Sequence, residues 1–261
     1  MDNKTISRDG TPIAYERHGD GPTVVLVGGA MCTGATLAPL AEALSDRFGA
    51  VTYDRRGRGD SGDTTPFAVA REVEDIAALI EIFGDSAALY GISSGGALAL
   101  EAAASGLPVR EVAVYETPFA VDDVAAKQRA EYTGRLTELL GRDQRGDAVE
   151  LFLTLVGTPP EMIAGVRMSH AWPGMEALAP TLAYDDAAMG GGRVPRERLA
   201  ALSVPLLSLA GDASPAWMRE AARTIAETAP NASYRTLEGQ THMVDPGALA
   251  PVLAEFFGTD G

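Results

Sequence analysis

The sequence predicts an α/β fold: a mostly parallel sheet with helices on both faces and one helical insertion. Three observations predict it. Apolar runs rich in Val, Leu and Tyr alternate with stretches of helical periodicity, which is the signature of strand–helix–strand units with right-handed crossovers. One such run, Ala87 to Ile92, passes through Gly91-x-Ser93-x-Gly95 straight into an alanine-rich helix. The alternation then stops at Glu116-Thr117-Pro118 and resumes near Val204, leaving 118–200 without a strand signal.

The elements follow in order. Ile13-Ala14-Tyr15-Glu16-Arg17 alternates as a half-buried strand, and Gly19-Asp20-Gly21 turns the chain into Thr23-Val24-Val25-Leu26-Val27. That second run is apolar throughout, as in a strand covered on both faces. A helix is predicted over about 34–47, then a strand at Ala50 to Asp54, then a helix over about 68–83. In the latter, Val73, Ile76, Ala77, Ile80 and Phe83 share one face and form candidate core. The Gly-x-Ser-x-Gly strand and its helix come next, followed by a strand at Val109 to Tyr115. After the insertion, Val204 to Ala210 and Ser233 to Leu237 read as strands, and Ala248 to Phe257 as a last helix. The predicted organisation is therefore a core of 1–117 and 201–261 with 118–200 inserted. The insertion carries breakers (Thr158-Pro159-Pro160, Trp172-Pro173-Gly174, Gly190-Gly191-Gly192) and several methionines, and reads as a helical lid over the carboxyl ends of the strands.

Composition narrows the partners. The chain has 21 basic and 36 acidic residues, a formal charge of −15, and no basic cluster longer than Arg55-Arg56. Nucleic acid and anionic membrane are disfavoured as partners. One cysteine, Cys32, excludes an intramolecular disulfide, and three histidines (His18, His170, His242) make a zinc site of ordinary spacing a poor fit. No hydrophobic leader or bilayer-length apolar run is present in this sequence, so a cytoplasmic, soluble protein is expected. Oligomeric state is not legible.

Ser93 is the candidate nucleophile. A serine hydroxyl needs to be held proud of the backbone beside a base, and a tight strand-to-helix turn does this. Ser93 has glycines at both i−2 and i+2, whereas Ser94 is preceded at i−2 by Ile92. An ordinary helix-start serine is the plainer alternative.

The chain resembles the α/β-hydrolase superfamily. Besides the serine turn, three segments carry the resemblance. Asp54-Arg55-Arg56-Gly57-Arg58-Gly59-Asp60-Ser61 resembles the family's D-x-R-G-x-G-x-S loop, and Val24 to Ala30 resembles its oxyanion strand and loop. Gly239-Gln240-Thr241-His242 resembles the loop bearing the catalytic histidine. The resemblance implies an eight-stranded, mostly parallel sheet and a triad in the order serine, acid, histidine. It implies His242 as general base, Asp54 as a brace of the arginine loop, and the backbone N–H groups of Ala30 and Ser94 as oxyanion donors. His18, in an early turn, reads as structural; His170, in the insertion, faces either substrate or solvent.

The acid departs from the family pattern. The loop after the seventh strand reads Gly211-Asp212-Ala213-Ser214, so the expected position holds Ser214. Asp212 is a nearby carboxylate with a different expected direction. Some members of the superfamily carry the acid at the end of strand six, and here that position is Glu116. The assignment is Ser93–Glu116–His242, with Asp212 in reserve. Glu116 as a helix-capping or ion-paired carboxylate is the plainer alternative.

Met31, Cys32, His170 and Trp172 are candidate pocket residues, Cys32 being first a small buried apolar group rather than a thiol nucleophile. The reading that emerges is a serine hydrolase acting without metal or organic cofactor on a largely apolar, ester-like small molecule. It would work through an acyl-enzyme on Ser93. A protein of the same fold that binds, eliminates or cyclises without hydrolysis is the alternative. Serine at 93 argues against the dehalogenases and epoxide hydrolases of this superfamily, which place aspartate there.

Overall fold

The computed structural model describes residues 3–258. Its centre is an eight-stranded sheet in the order β1-β2-β4-β3-β5-β6-β7-β8. The strands are β1 (Asn3–Ile6), β2 (Pro12–His18), β3 (Thr23–Val27), β4 (Gly49–Tyr53), β5 (Ala87–Ile92), β6 (Val109–Tyr115), β7 (Leu206–Gly211) and β8 (Ala232–Leu237). β1 and β2 are antiparallel to their neighbours; every other pairing is parallel. Seven strands lie where the sequence marks them. The eighth, β1, has only Thr5 buried, so no apolar alternation announces it.

The helices packed on the sheet are the crossovers α1 (Gly34–Leu44), α2 (Val69–Phe83), α3 (Ser94–Ala104) and α10 (Ala216–Thr228), and α11 (Pro246–Phe256), which follows β8. Side-chain alternation along the strands divides the core between two faces. Val25, Val27 and Val51 pack with α2 and α3, while Val24, Leu26 and Ala50 pack with α1 and α11. α3 is buried almost all round, which is why it carries alanine rather than a polar stripe. Leu98, fully buried in it, sits close below the serine turn. Leu98→Ala is expected to cost about 2–5 kcal/mol, read from the denaturant midpoint.

α2 differs from its predicted face in two respects: Ala78 and Leu79 are buried where Ala77 and Phe83 are only half-buried, and two acids join the buried side. Glu72 and Asp75 are buried alongside its apolar face because they receive the guanidinium groups of Arg55 and Arg56. Counting apolar spacing alone leaves such a pair out.

Between β6 and β7 the chain forms six α-helices, α4 (Asp123–Gly141), α5 (Arg145–Leu155), α6 (Pro160–Arg167), α7 (Trp172–Leu178), α8 (Leu182–Ala188) and α9 (Arg196–Ala200), with a short 3-10 turn at Ala179–Thr181. They build a small core of their own around Tyr132, Leu136, Val149, Trp172 and Leu182, against which Ala30 and Met31 also pack. α8 is fastened to the strand-four loop. Tyr184 stacks on Phe67 with ring centroids 3.8 Å apart and donates to Asp63 through a 2.8 Å hydrogen bond.

Candidate active site

The carboxyl ends of the parallel strands bring the chemistry together. Ser93 is the residue between β5 and α3, with φ 56° and ψ −130°, a strained region for a side chain with a Cβ. The turn is possible because its surroundings are glycine. A Cβ on Gly91 would collide with the Gly95 carbonyl, and one on Gly95 with the carbonyls of Val27 and Gly28. Gly29 lies so close that a Cβ there would stand 3.0 Å from the Ser93 Cβ.

His242 follows β8 on a loop tied down by the Tyr115 hydroxyl, which donates to the Thr241 carbonyl at 2.6 Å. Its Nδ1 is 2.9 Å from Glu116 Oε2. Glu116 ends β6 with φ 46° and is completely buried. A buried carboxylate needs partners, and this one has two. Oε2 takes the imidazole, while Oε1 accepts the Gly211 N–H at 2.8 Å. Pairing of β6 with β7 thus carries Glu116 to the tip of β7, beside Gly211.

Asp212 points elsewhere. It is exposed, and its Oδ1 accepts the Gly239 N–H at 2.7 Å, bracing the loop ahead of His242 without touching the imidazole. Asp54 is a brace too: its two carboxylate oxygens accept the N–H groups of Gly34 and Asp60. His18 pairs with Ala50 at the amino end of β4, whereas Ser93 lies at the carboxyl end of the parallel strands.

Ser93, Ser94, Ala30 and His242 share a cavity of about 440 Å³ with residues of the insertion. Most of its wall is apolar, including Phe119, Tyr132, Phe152, Leu182 and Met189, with Trp217 and Met218 from α10. Four residues expected in the pocket, Met31, Cys32, His170 and Trp172, are not part of that wall. Trp172 is buried in the insertion's own core, and His170 faces solvent. Met31 turns away to pack against that core through a positive φ of 60°. Cys32 lies behind Gly28, with its thiol pushed up by burial and therefore held protonated and unreactive.

A sequence profile described as the alpha/beta hydrolase family matches residues 24–252. The chain belongs to that family. Among curated relatives it is similar to the pimeloyl-[acyl-carrier protein] methyl ester esterase of Xanthomonas campestris pv. campestris. The two are 31% identical over 238 residues, covering 86% of this chain and 89% of the relative. Among solved structures it is similar to an alpha/beta hydrolase from Sphaerobacter thermophilus, with 53% identity and a TM-score of 0.89, covering 98% of this chain and all of that one. An enol-lactonase from Burkholderia xenovorans shares the fold at 21% identity and a TM-score of 0.72, covering 98% of this chain and 100% of that one.

In this alpha/beta hydrolase, an ion cluster that sequence reading does not reveal lies directly beneath the site. Arg55 forks onto Glu72 with two 2.7 Å hydrogen bonds and also donates to Asp185 of α8. Arg58 donates to both oxygens of Asp185 and, at 2.7 Å, to the Gly29 carbonyl. Burial pushes the Asp185 carboxyl up, but Arg58 and Arg55 outweigh it and hold the group below the usual carboxylate range. The only sequence signal for the cluster is three arginines in a four-residue loop, which once buried demand acids; nothing marks Asp185 as one of them. Among the described residues, no group of three or more His, Cys, Asp or Glu is placed to hold a metal ion.

Proposed function

We propose that this alpha/beta hydrolase cleaves an ester-like small molecule, a carboxylic ester, thioester or lactone, through an acyl-enzyme on Ser93. The observation that carries the reading is the 2.9 Å contact between buried Glu116 and His242 in the cavity that also exposes the strained Ser93. Glu116 accepts the Nδ1–H, which leaves Nε2 unprotonated and free to take the Ser93 proton as the hydroxyl attacks the acyl carbon. The developing oxyanion receives the N–H groups of Ala30 and Ser94. The Ser94 amide is free for this because the first amides of a helix have no intrahelical acceptor. Imidazolium then gives its proton to the leaving group, and a water deprotonated by the same Nε2 releases the acid.

The curated relative acts on a methyl ester, which supports a carboxylic ester as the substrate bond. A mostly apolar cavity of about 440 Å³ suits a small or medium acyl compound held by dispersion and hydrophobic contact. The segment between β6 and β7, its loops as well as its helices, supplies most of that wall, so it is the proposed determinant of acyl preference.

Labelling tests the reading directly. A fluorophosphonate probe is expected to add one mass increment to the wild-type protein and none to Ser93→Ala, with hydrolysis of p-nitrophenyl acyl esters lost in parallel. A folded wild type that stays unlabelled and inactive on these esters would point instead to a non-hydrolytic binder or lyase of the same fold.

A further inference from the structure

The buried arginine cluster has a geometric consequence for the oxyanion donors. The Arg58 guanidinium is fully buried and donates one hydrogen bond to the Gly29 carbonyl at 2.7 Å. A trans peptide is planar, with its C=O and N–H pointing in opposite directions. Fixing the Gly29 oxygen toward Arg58 therefore fixes the Ala30 N–H away from it. Gly29 is packed against Ser93, and Ala30 lies on the cavity wall with Ser93 and His242.

The second donor is tied to the same group. Asp185 Oδ1 accepts from Arg55, from Arg58 at 2.9 Å and from the Ser94 hydroxyl at 2.8 Å. Ser94 carries the other N–H proposed to face the oxyanion. A single carboxylate from inserted helix α8, 91 residues beyond Ser94, thus links the two donor-bearing segments. Gly28, next in the oxyanion loop, gives its carbonyl to Arg55 at 3.2 Å.

We infer that Arg58 and Asp185 are positioning residues: Arg58 aims the Ala30 N–H at the reacting centre, and Asp185 locks Arg58 and Ser94 in one arrangement. The inference rests on the proposed acyl transfer at Ser93. A cation on the carbonyl of a peptide also polarises its N–H, so the same contact makes Ala30 a stronger donor. The cluster makes donor geometry conditional on α8 being seated, since α8 supplies the only carboxylate that Arg58 and Ser94 share among the described residues.

Arg58→Met keeps an unbranched apolar stem in the buried site and removes all three hydrogen bonds made by the guanidinium. It is expected to lower kcat for p-nitrophenyl butanoate by about 100-fold, the loss typical of one oxyanion donor, with KM within about threefold. Affinity for butylboronic acid, which forms a tetrahedral anion on an activated serine, is expected to fall in proportion. A crystal structure of the variant is expected to show the Gly29–Ala30 peptide rotated. Arg58→Lys is expected to lose about tenfold, because one ammonium cannot hold the Gly29 carbonyl and both Asp185 oxygens in the geometry of a planar fork; it serves as the test variant if Arg58→Met does not fold. An unrotated peptide, or a kcat within threefold of wild type, overturns the positioning role. If wild type neither hydrolyses the ester nor binds the boronate, the hydrolase reading fails, and the peptide's orientation alone decides whether Arg58 sets it.

Discussion

Glu116→Gln is expected to reduce ester turnover by about 10³- to 10⁴-fold while leaving the protein folded. The size follows from the hydrogen bonds around the side chain. One oxygen of Glu116 accepts the Gly211 N–H, and the other faces His242 Nδ1. A glutamine must keep its oxygen toward Gly211, because the opposite orientation would set two donors against each other. Its NH₂ then faces Nδ1 and forces the proton onto Nε2. An imidazole protonated at Nε2 cannot accept a proton from Ser93, so the base is lost without any change of shape. Asp212→Asn is the companion measurement. Asparagine can still accept the Gly239 N–H through its oxygen, so kcat is expected to stay within about threefold of wild type. Steady-state turnover of both variants checks the pair, and a large loss in Asp212→Asn with a small one in Glu116→Gln would reverse the assignment.

Gly95→Ala is expected to produce the largest combined loss of stability and activity from a single methyl group. The added Cβ would collide with the backbone carbonyls of Val27 and Gly28, which cannot rotate aside as a flexible side chain can. The first turn of α3 must then lift off the end of β3. Overpacking of this kind costs about 1–3 kcal/mol or more. For a chain of this size the melting temperature is expected to drop by roughly 3–10 °C. The same shift separates Ser94, at the start of α3, from the loop carrying Ala30, so turnover is expected to fall by at least tenfold. Gly134→Ala in α4 is the control. No atom lies within 4 Å of a Cβ there, and the position is an exposed helix interior, so the change is expected to stabilise by about 0.5–1 kcal/mol. Thermal unfolding of the two variants separates crowding at the elbow from the general effect of replacing glycine with alanine.

Much of the sheet was legible because its strands are covered on both faces. Thr23–Val27 and Ala87–Ile92 are almost continuous apolar runs, and such runs between helical periods have few structural solutions. The serine turn was equally local. Gly91, Ser93 and Gly95 lie within five residues, so the backbone requirement and the residues that meet it appear in one glance along the sequence. The position of Glu116 was also written locally, at the end of an apolar strand. Its contact with His242 was not, because that depends on β6 lying beside β7 and on a loop 126 residues later swinging over the strand tips.

What only the tertiary structure decided is of that second kind. Trp172 by its composition and Met31 by its place after the Gly28-Gly29-Ala30 loop were expected in the pocket, yet the insertion has enough apolar surface to form its own core and draws both toward it. The cavity wall instead takes Trp217 and Met218 from α10, beyond the insertion altogether. Nothing along the sequence joins Arg55 and Arg58 to Asp185, because a charge shows its burial only through partners, and theirs lie up to 130 residues away. Sequence by itself determined the elements whose causes are periodic and local: the strands, the crossover helices and the strained serine between them. The fold decided which side chains meet, since ion pairing, tautomer control and peptide orientation act over a few ångströms in space and leave no spacing in the chain.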